Sequence, residues 1–414
     1  MSSSCRDVAM SRGYWALRVV LSVVGVGAFI QVASAAEFWV QPIVTLSAET
    51  DSNLDLDTTA PQRIEGYIGD AATLIDIATP TSDTTIKPRV RYEDYPEESV
   101  LNIVEGTLDF RSRVVFPRSD FSITGRFDHL TEPDAEFQTA EFNDVNPIAP
   151  TNPETGVVQL GVTRNNLTAS PQYSYHVTPL MSVVASALVE AVKFSPSDTA
   201  DHTDFEYYQG GLAIHRALDP KTDLSLGGFG NRYDAGSVGS YATSAGASLD
   251  LDHNWTPLVG GTASVSYQHS DITVNQPNEF QAGVNTWGAS LGAVAKGLTD
   301  QFRLNVARTV TPSGAGGLYA SEQAQVQYTR FFSVRLSVTG ALLYLQSRAL
   351  TSNFSGIDRD YGQGDISIKW MASPTWFVLG GFTYTGQKYL TDPTGAANNR
   401  VYVEVGYQGL PRPQ

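Results

Sequence analysis

The chain has 414 residues, 43 acidic against 27 basic side chains, a formal net charge of −16 and a single cysteine. The acid excess argues against nucleic acid as a partner. One cysteine excludes a disulfide framework or a thiol metal site.

Arg6, Arg12 and Arg18 precede a short apolar run from Val19 to Ile30, and Ala33-Ser34-Ala35 follows it. This is the pattern of a secretory signal peptide cleaved before Ala36, so residues 1–35 are read as a leader and 36–414 as one domain. Sec-type export follows from it. The apolar run is too short for a spanning helix, and no other stretch reaches the ~18–20 apolar residues one needs. Cys5 lies in the leader, and removing Arg6, Asp7, Arg12 and Arg18 takes the net charge from −16 to −18.

From Glu37 onward, long segments alternate in polarity with period two, as strands with one apolar and one polar face do. They run from 38–47 and 70–78, the two least regular, to 400–409. In the former pair Pro42, Pro61, Gly66 and Gly69 blur the pattern, since proline and glycine weaken strands. Compact reversals recur between them. Tyr175–Pro179, His253–Pro257 and Trp370–Pro374 each place an aromatic or His four residues before a Ser/Thr-Pro step, and His215–Pro220 is the same device with one residue inserted. Proline presets the first corner of a turn while Asp, Ser or Thr bonds the backbone just beyond. Lys296–Asp300 and Phe331–Ser333 continue the series, which recurs at a hairpin-sized interval.

Alternation is shared by soluble sandwiches and membrane barrels, so length and loop asymmetry decide between them. Many segments run ten residues or more, as a tilted bilayer-spanning strand must, and short connections alternate with long ones. Tyr175, Trp255, Tyr328, Trp370, Trp376 and Tyr407 near segment ends suit two interfacial aromatic girdles. The expected fold is therefore all-β: a transmembrane antiparallel up-and-down β-barrel of about 18 strands, with 16 as the alternative, and both termini periplasmic. Its expected location is the outer membrane of a Gram-negative cell, in contact with lipid and lipopolysaccharide. The acid excess falls mostly in the long loops, either solvating them or meeting lipopolysaccharide through cations.

A barrel of 16 to 18 strands encloses an aqueous channel, which makes the polar face the candidate functional surface. Lys87, Arg89 and Arg91 alternate with apolar residues on one strand, Glu105, Asp109, Arg111 and Arg113 on the next, and Arg126 on the third. A charge on the lipid face costs ~2–4 kcal/mol at the midplane, so these side chains should face the lumen. Either the strip draws anionic solutes through a field-focusing pore, or its charges pair across strands and stiffen the wall. Arg303, Arg335 and Lys369 are expected on the far wall, with Gln323, Gln325, Gln327 and Tyr402 able to contact a glycan. The proline-rich connection 131–163 is expected to act at the rim as a lid, with inward folding as the alternative.

No chemistry is legible beyond this. His129, His176, His202, His215, His253 and His269 are scattered without ligand spacing, and no phosphate loop precedes a helix. Asp51-x-Asn53-x-Asp55-x-Asp57 has half of a calcium-loop spacing but carries Leu56 and Gln62 where glycine and glutamate belong. No enzyme activity, cofactor or metal is expected.

The leader, the Glu49–Asn53 loop, the repeated Thr-Pro turns and the closing strand Val401–Tyr407 together resemble the outer-membrane porins encoded with capsule and exopolysaccharide export genes. That resemblance implies a barrel through which a polysaccharide leaves, partnered by periplasmic export components. Such barrels end on an aromatic residue, whereas Gln408–Gln414 follows Tyr407 here. A small-solute diffusion porin and a structural or adhesive surface barrel are the other classes.

Overall fold

The computed structural model describes residues 36–97, 102–136, 161–196, 202–274, 280–351, 358–390 and 394–410. Residues 1–35, the expected leader, lie outside them.

Eighteen strands follow one another along the chain: β1 (Glu37–Asp51), β2 (Ile64–Thr79), β3 (Ser82–Asp94), β4 (Ile103–Phe116), β5 (Ser119–Thr131), β6 (Thr163–Thr178), β7 (Met181–Ser195), β8 (Phe205–Asp219) and β9 (Thr222–Ala235), then β10 (Ser240–Thr256), β11 (Val259–Val274), β12 (Phe280–Lys296), β13 (Asp300–Pro312), β14 (Leu318–Phe331), β15 (Leu336–Ala349), β16 (Arg359–Met371), β17 (Trp376–Tyr389) and β18 (Ala396–Gln408). Each pairs antiparallel with its sequence neighbours. β1 pairs with β18 from Ile43–Gln408 to Asp51–Arg400, so the sheet closes into an 18-stranded ring without a free edge.

The first two strands are longer than their sequence suggests, for local reasons. Pro42 lacks an N–H but sits just outside the first β1–β18 pair, and its carbonyl accepts Gly409 N at 2.8 Å. Gly66 lies under the Tyr95 ring, where a Cβ would come within 2.3 Å of the ring carbons. The glycine that weakens the strand pattern is what lets Tyr95 pack there.

Reversals such as β6–β7, β8–β9, β10–β11 and β16–β17 are short and lie at one end of the ring, the turn end. The side-chain oxygens predicted to close them do so. Thr178 and Thr256 accept Leu180 N (3.3 Å) and Leu258 N (3.2 Å), Asp219 accepts Lys221 N (2.7 Å), and Ser373 accepts Trp376 N (3.0 Å). Both ends of the barrel sequence, Glu37 and Gln408, are at this end, and the long connections are at the other.

The strand faces divide as the alternation requires. On β10, Leu249 and Leu251 face outward, while Asp250 and Asp252 alternate with them toward the lumen. The six girdle aromatics chosen from sequence all lie at the turn end, so they build one girdle, not two. The second comes from Tyr92, Tyr208, Tyr267, Trp287, Tyr344 and Tyr384, each exposed on the outer face nearer the loop end. On β17, Trp376 and Tyr384 are eight residues apart, about 27 Å along a strand at ~3.4 Å per residue. Strand tilt brings this close to the ~25 Å apolar band of a membrane barrel.

Candidate functional site

The lumen near the loop end is crossed by a short helix, α1 (Glu132–Glu136). Its sequence, Thr131-Glu132-Pro133-Asp134-Ala135-Glu136, encodes it. Thr131 Oγ1 accepts Asp134 N at 3.4 Å, and proline and acids suit a first helical turn. Thr131 N donates to the wall residue Glu105 at 2.7 Å, which turns the chain inward as it leaves β5.

Residues four apart on a helix share a face, and a residue two away points to the other side. Asp134 accordingly meets β3, with Arg91 Nη1 2.5 Å from its carboxylate, while Glu132 and Glu136 reach elsewhere. Glu136 accepts Arg359 Nη2 of β16 at 2.8 Å, with both side chains almost completely buried. Arg359 Nη1 donates to Gln387 Oε1 on β17 at 2.9 Å. Glu132 pairs with His202, from the β7–β8 connection, at another fully buried contact; His202 also packs on Phe194, 5.1 Å between ring centroids. Helix α1 is thus bolted to walls on both sides of the ring. This corrects the expectation of a rim lid for Glu132–Glu136; residues 137–160 of that connection lie outside the described residues.

Around Asp134 the carboxylate oxygens of Glu93, Glu105 and Asp134 come within 4.8 Å of one another. Sequence reading missed this trio, because only the inward turn of α1 brings Asp134 to the strands. Arg91 supplies the opposite charge, with Nη2 2.7 Å from Glu93 and Nη1 3.9 Å from Glu105. Burial pushes the Asp134 carboxyl up, but the Arg91 guanidinium and a hydrogen bond from Glu105 outweigh it and hold the group below the usual carboxylate range.

The strip on β3–β5 lies on the strand face opposite the exposed Val90, Val104, Leu108 and Phe127, and it is a ladder of pairs. Arg89 is bridged to Asp70, Arg113 lies 3.4 Å from Asp120, and Arg126 lies 3.2 Å from Asp128 and 4.0 Å from Asp109. Asp128 also receives Arg164 Nη2 of β6 at 2.8 Å, and Lys87 stands directly opposite Asp109. Arg111 alone of the six basic residues on these strands faces only threonines, Thr85 and Thr124. The geometry favours the wall-stiffening reading of these charges.

The far-wall residues divide. Arg303 sits opposite Gln327, and Lys369 lies 4.1 Å over the Phe377 ring. Arg335 is not on the wall: β15 starts at Leu336, and Arg335 is an exposed residue of the β14–β15 turn. Gln323 and Gln325 are buried and Tyr402 lies against Gly381, so these side chains do not form an open glycan track. In the Asp51–Asp57 loop, Asn398 Nδ2 donates to Asp51 at 2.6 Å. Asn53 Oδ1 accepts Asp57 N at 3.0 Å, and Leu56 adopts φ 50° where a calcium loop has glycine. Asp51 Oδ1 ties the loop to β18, while Asn53, Asp55 and Asp57 oxygens accept bonds within the loop.

No family model matches the chain, and no curated relative matches it either. Solved structures similar to it include OccK2 (OpdF) of Pseudomonas aeruginosa in complex with glucuronate, at 9 % identity, TM-score 0.46, 90 % of this chain and 98 % of that one. OccAB3 of Acinetobacter baumannii follows at 8 %, 0.45, 90 % and 99 %. A BenF-like porin from Pseudomonas fluorescens gives 10 %, 0.44, 89 % and 98 %.

Proposed function

We propose that this chain is an outer-membrane channel for small solutes, with the turn end periplasmic and the loop end outside, and that it carries out no catalysis. One observation supports this above the others: the ring of 18 strands has an apolar outer band between two aromatic girdles and a charged lumen, with α1 fastened across it by ion pairs to β3 and β16. A closed ring satisfies every strand edge, which is what hydrocarbon demands, and 18 strands leave room for water.

The same bolt separates this reading from polymer export. A polysaccharide chain needs a clear path along the axis, and Glu136–Arg359 and Asp134–Arg91 place a helix in that path. Charged pairs at a narrowing suit small hydrophilic solutes, which exchange hydration for the wall groups one molecule at a time. The pore-lining set on this reading is Lys87, Arg89, Arg91, Glu105, Asp109, Arg111, Arg113, Arg126, Arg303 and Lys369.

Liposome swelling tests it. Vesicles holding the refolded chain should swell in monosaccharides and amino acids, at rates falling steeply with solute size, and should exclude oligosaccharides. Equal entry of long glycans would support export instead, and no swelling at all would end the channel reading.

A further inference from the structure

Charge accounting along the lumen contradicts the anion preference that the arginine strip suggests, and the reason is geometric. On β3–β5 the basic residues come with acids. Arg89 is tied to Asp70, Arg91 to Glu93 and Asp134, Arg113 to Asp120, and Arg126 to Asp109 and Asp128. An ion pair presents a dipole to a passing solute, and its field falls off faster than that of a lone charge. Only Arg111 remains among them with no acid bonded or directly opposite, within the described residues.

The wall built by β9 and β10 carries the reverse. Asp223, Asp250 and Asp252 alternate with Leu224, Leu249 and Leu251 and so face the lumen. Asp252 is directly opposite Asp223 across the two strands, and Asp250 shares Asp252's face two residues away. No arginine or lysine lies within ion-pair distance of any of the three among the described residues; Asp223 has the His215 ring nitrogen Nε2 at 3.6 Å. Asp250 meets only the Ser248 hydroxyl, at 3.3 Å. The Asp223 side chain is 39 % exposed, so these charges are open to the pore. The remaining lining of this stretch is small and neutral, Ser225, Gly227, Gly246 and Ser248 among it, and offers nothing to offset them.

We propose that the channel prefers cations, and that Asp223, Asp250 and Asp252 on the β9–β10 wall set this preference, because they form a cluster of lumen carboxylates with no arginine or lysine in ion-pair distance among the described residues. The inference rests on the channel reading above and names its solute class: small cations, and solutes that carry an ammonium or guanidinium group. The arginines of β3–β5 hold the wall and α1 in place. They contribute little net field.

The test is the zero-current potential of the purified, refolded chain in a planar bilayer under a tenfold KCl gradient. The wild type should show potassium more permeant than chloride. Asp223→Asn/Asp250→Asn/Asp252→Asn should lower the K+/Cl− permeability ratio by roughly two-fold or more, as loss of unscreened pore charges does, and Arg111→Gln should raise it. A chloride-selective wild type overturns the proposal without any variant, so it stands or falls even where the triple substitution does not fold. A folded triple variant with an unchanged ratio overturns it too. Conductance with the wrong selectivity refutes this inference alone, whereas no conductance refutes the channel reading beneath it.

Discussion

The β3–β6 wall and the β8–β12 wall solve the same problem in opposite ways. Both must line water with backbone that is fully hydrogen-bonded and side chains that tolerate a crowded interior. The first uses long charged side chains locked in pairs, to the point that Asp128 and Arg164 are nearly inaccessible, and it anchors α1. The second uses small residues and hydroxyl pairs such as Ser244–Ser270 and Ser264–Ser290, at 2.8 and 2.7 Å. At Gly246 a Cβ would lie 2.6 Å from both the Phe229 ring and the Tyr267 carbonyl. A wall rich in charge is not by that fact the wall that sets the field, because pairing cancels what the sequence counts. The sparse wall leaves Asp223, Asp250 and Asp252 without an arginine or lysine partner among the described residues.

The difference can be attacked most forcefully at the bolt. Arg359→Met leaves Glu136 buried without its cation, a change that typically costs about 3–5 kcal/mol; α1 should undock and single-channel conductance should rise. Arg359→Met/Glu136→Gln removes both charges and should recover much of that loss, because the penalty comes from the unpaired survivor. An equally large effect in the double variant would show that α1 is held by something other than this pair.

Next in size are the two faces of β10. Leu251→Arg puts a charge into hydrocarbon and should cost ~2–4 kcal/mol, read as a shift in urea-induced unfolding from lipid vesicles. Asp252→Arg, one residue on, changes a lumen group and should shift that midpoint far less. Gly246→Leu overfills the small-residue wall against Phe229 and should cost about 1–3 kcal/mol. The smallest effect is expected on the charged wall, where Arg89→Gln removes one half of a pair whose arginine is 40 % exposed. Water screens such a pair, so the loss should stay within about 1 kcal/mol.

Much of this architecture was legible in the amino-acid order. Period-two alternation and the Ser/Thr-Pro turns placed all eighteen strands, because a strand between lipid and water has its faces dictated residue by residue. That Lys87 through Arg126 share one polar face followed from the same rule. Three things were not legible. Pairing across strands depends on register, so Arg113 meeting Asp120 or Arg126 meeting Asp109 could be offered only as an alternative to an open basic strip. Contacts of long sequence separation, such as Glu136 with Arg359, have no local signature, although Thr131-Glu132-Pro133 does announce a helix start. And the second aromatic girdle was hidden because some of its members, such as Tyr267 and Trp287, sit in mid-strand and not near a segment end.

Everything above depends on alternate residues of each strand touching lipid and water in turn. Cys5 is the one cysteine of the sequence, so residues 36–414 contain none, and single cysteines placed in turn at positions 248 to 252 of β10 in a chain starting at residue 36 can be challenged with a membrane-impermeant thiol reagent in proteoliposomes. Cysteines at 248, 250 and 252 should react and those at 249 and 251 should not. Uniform reactivity along the five positions, or the opposite alternation, would contradict the barrel's division into a lipid face and a water-filled lumen.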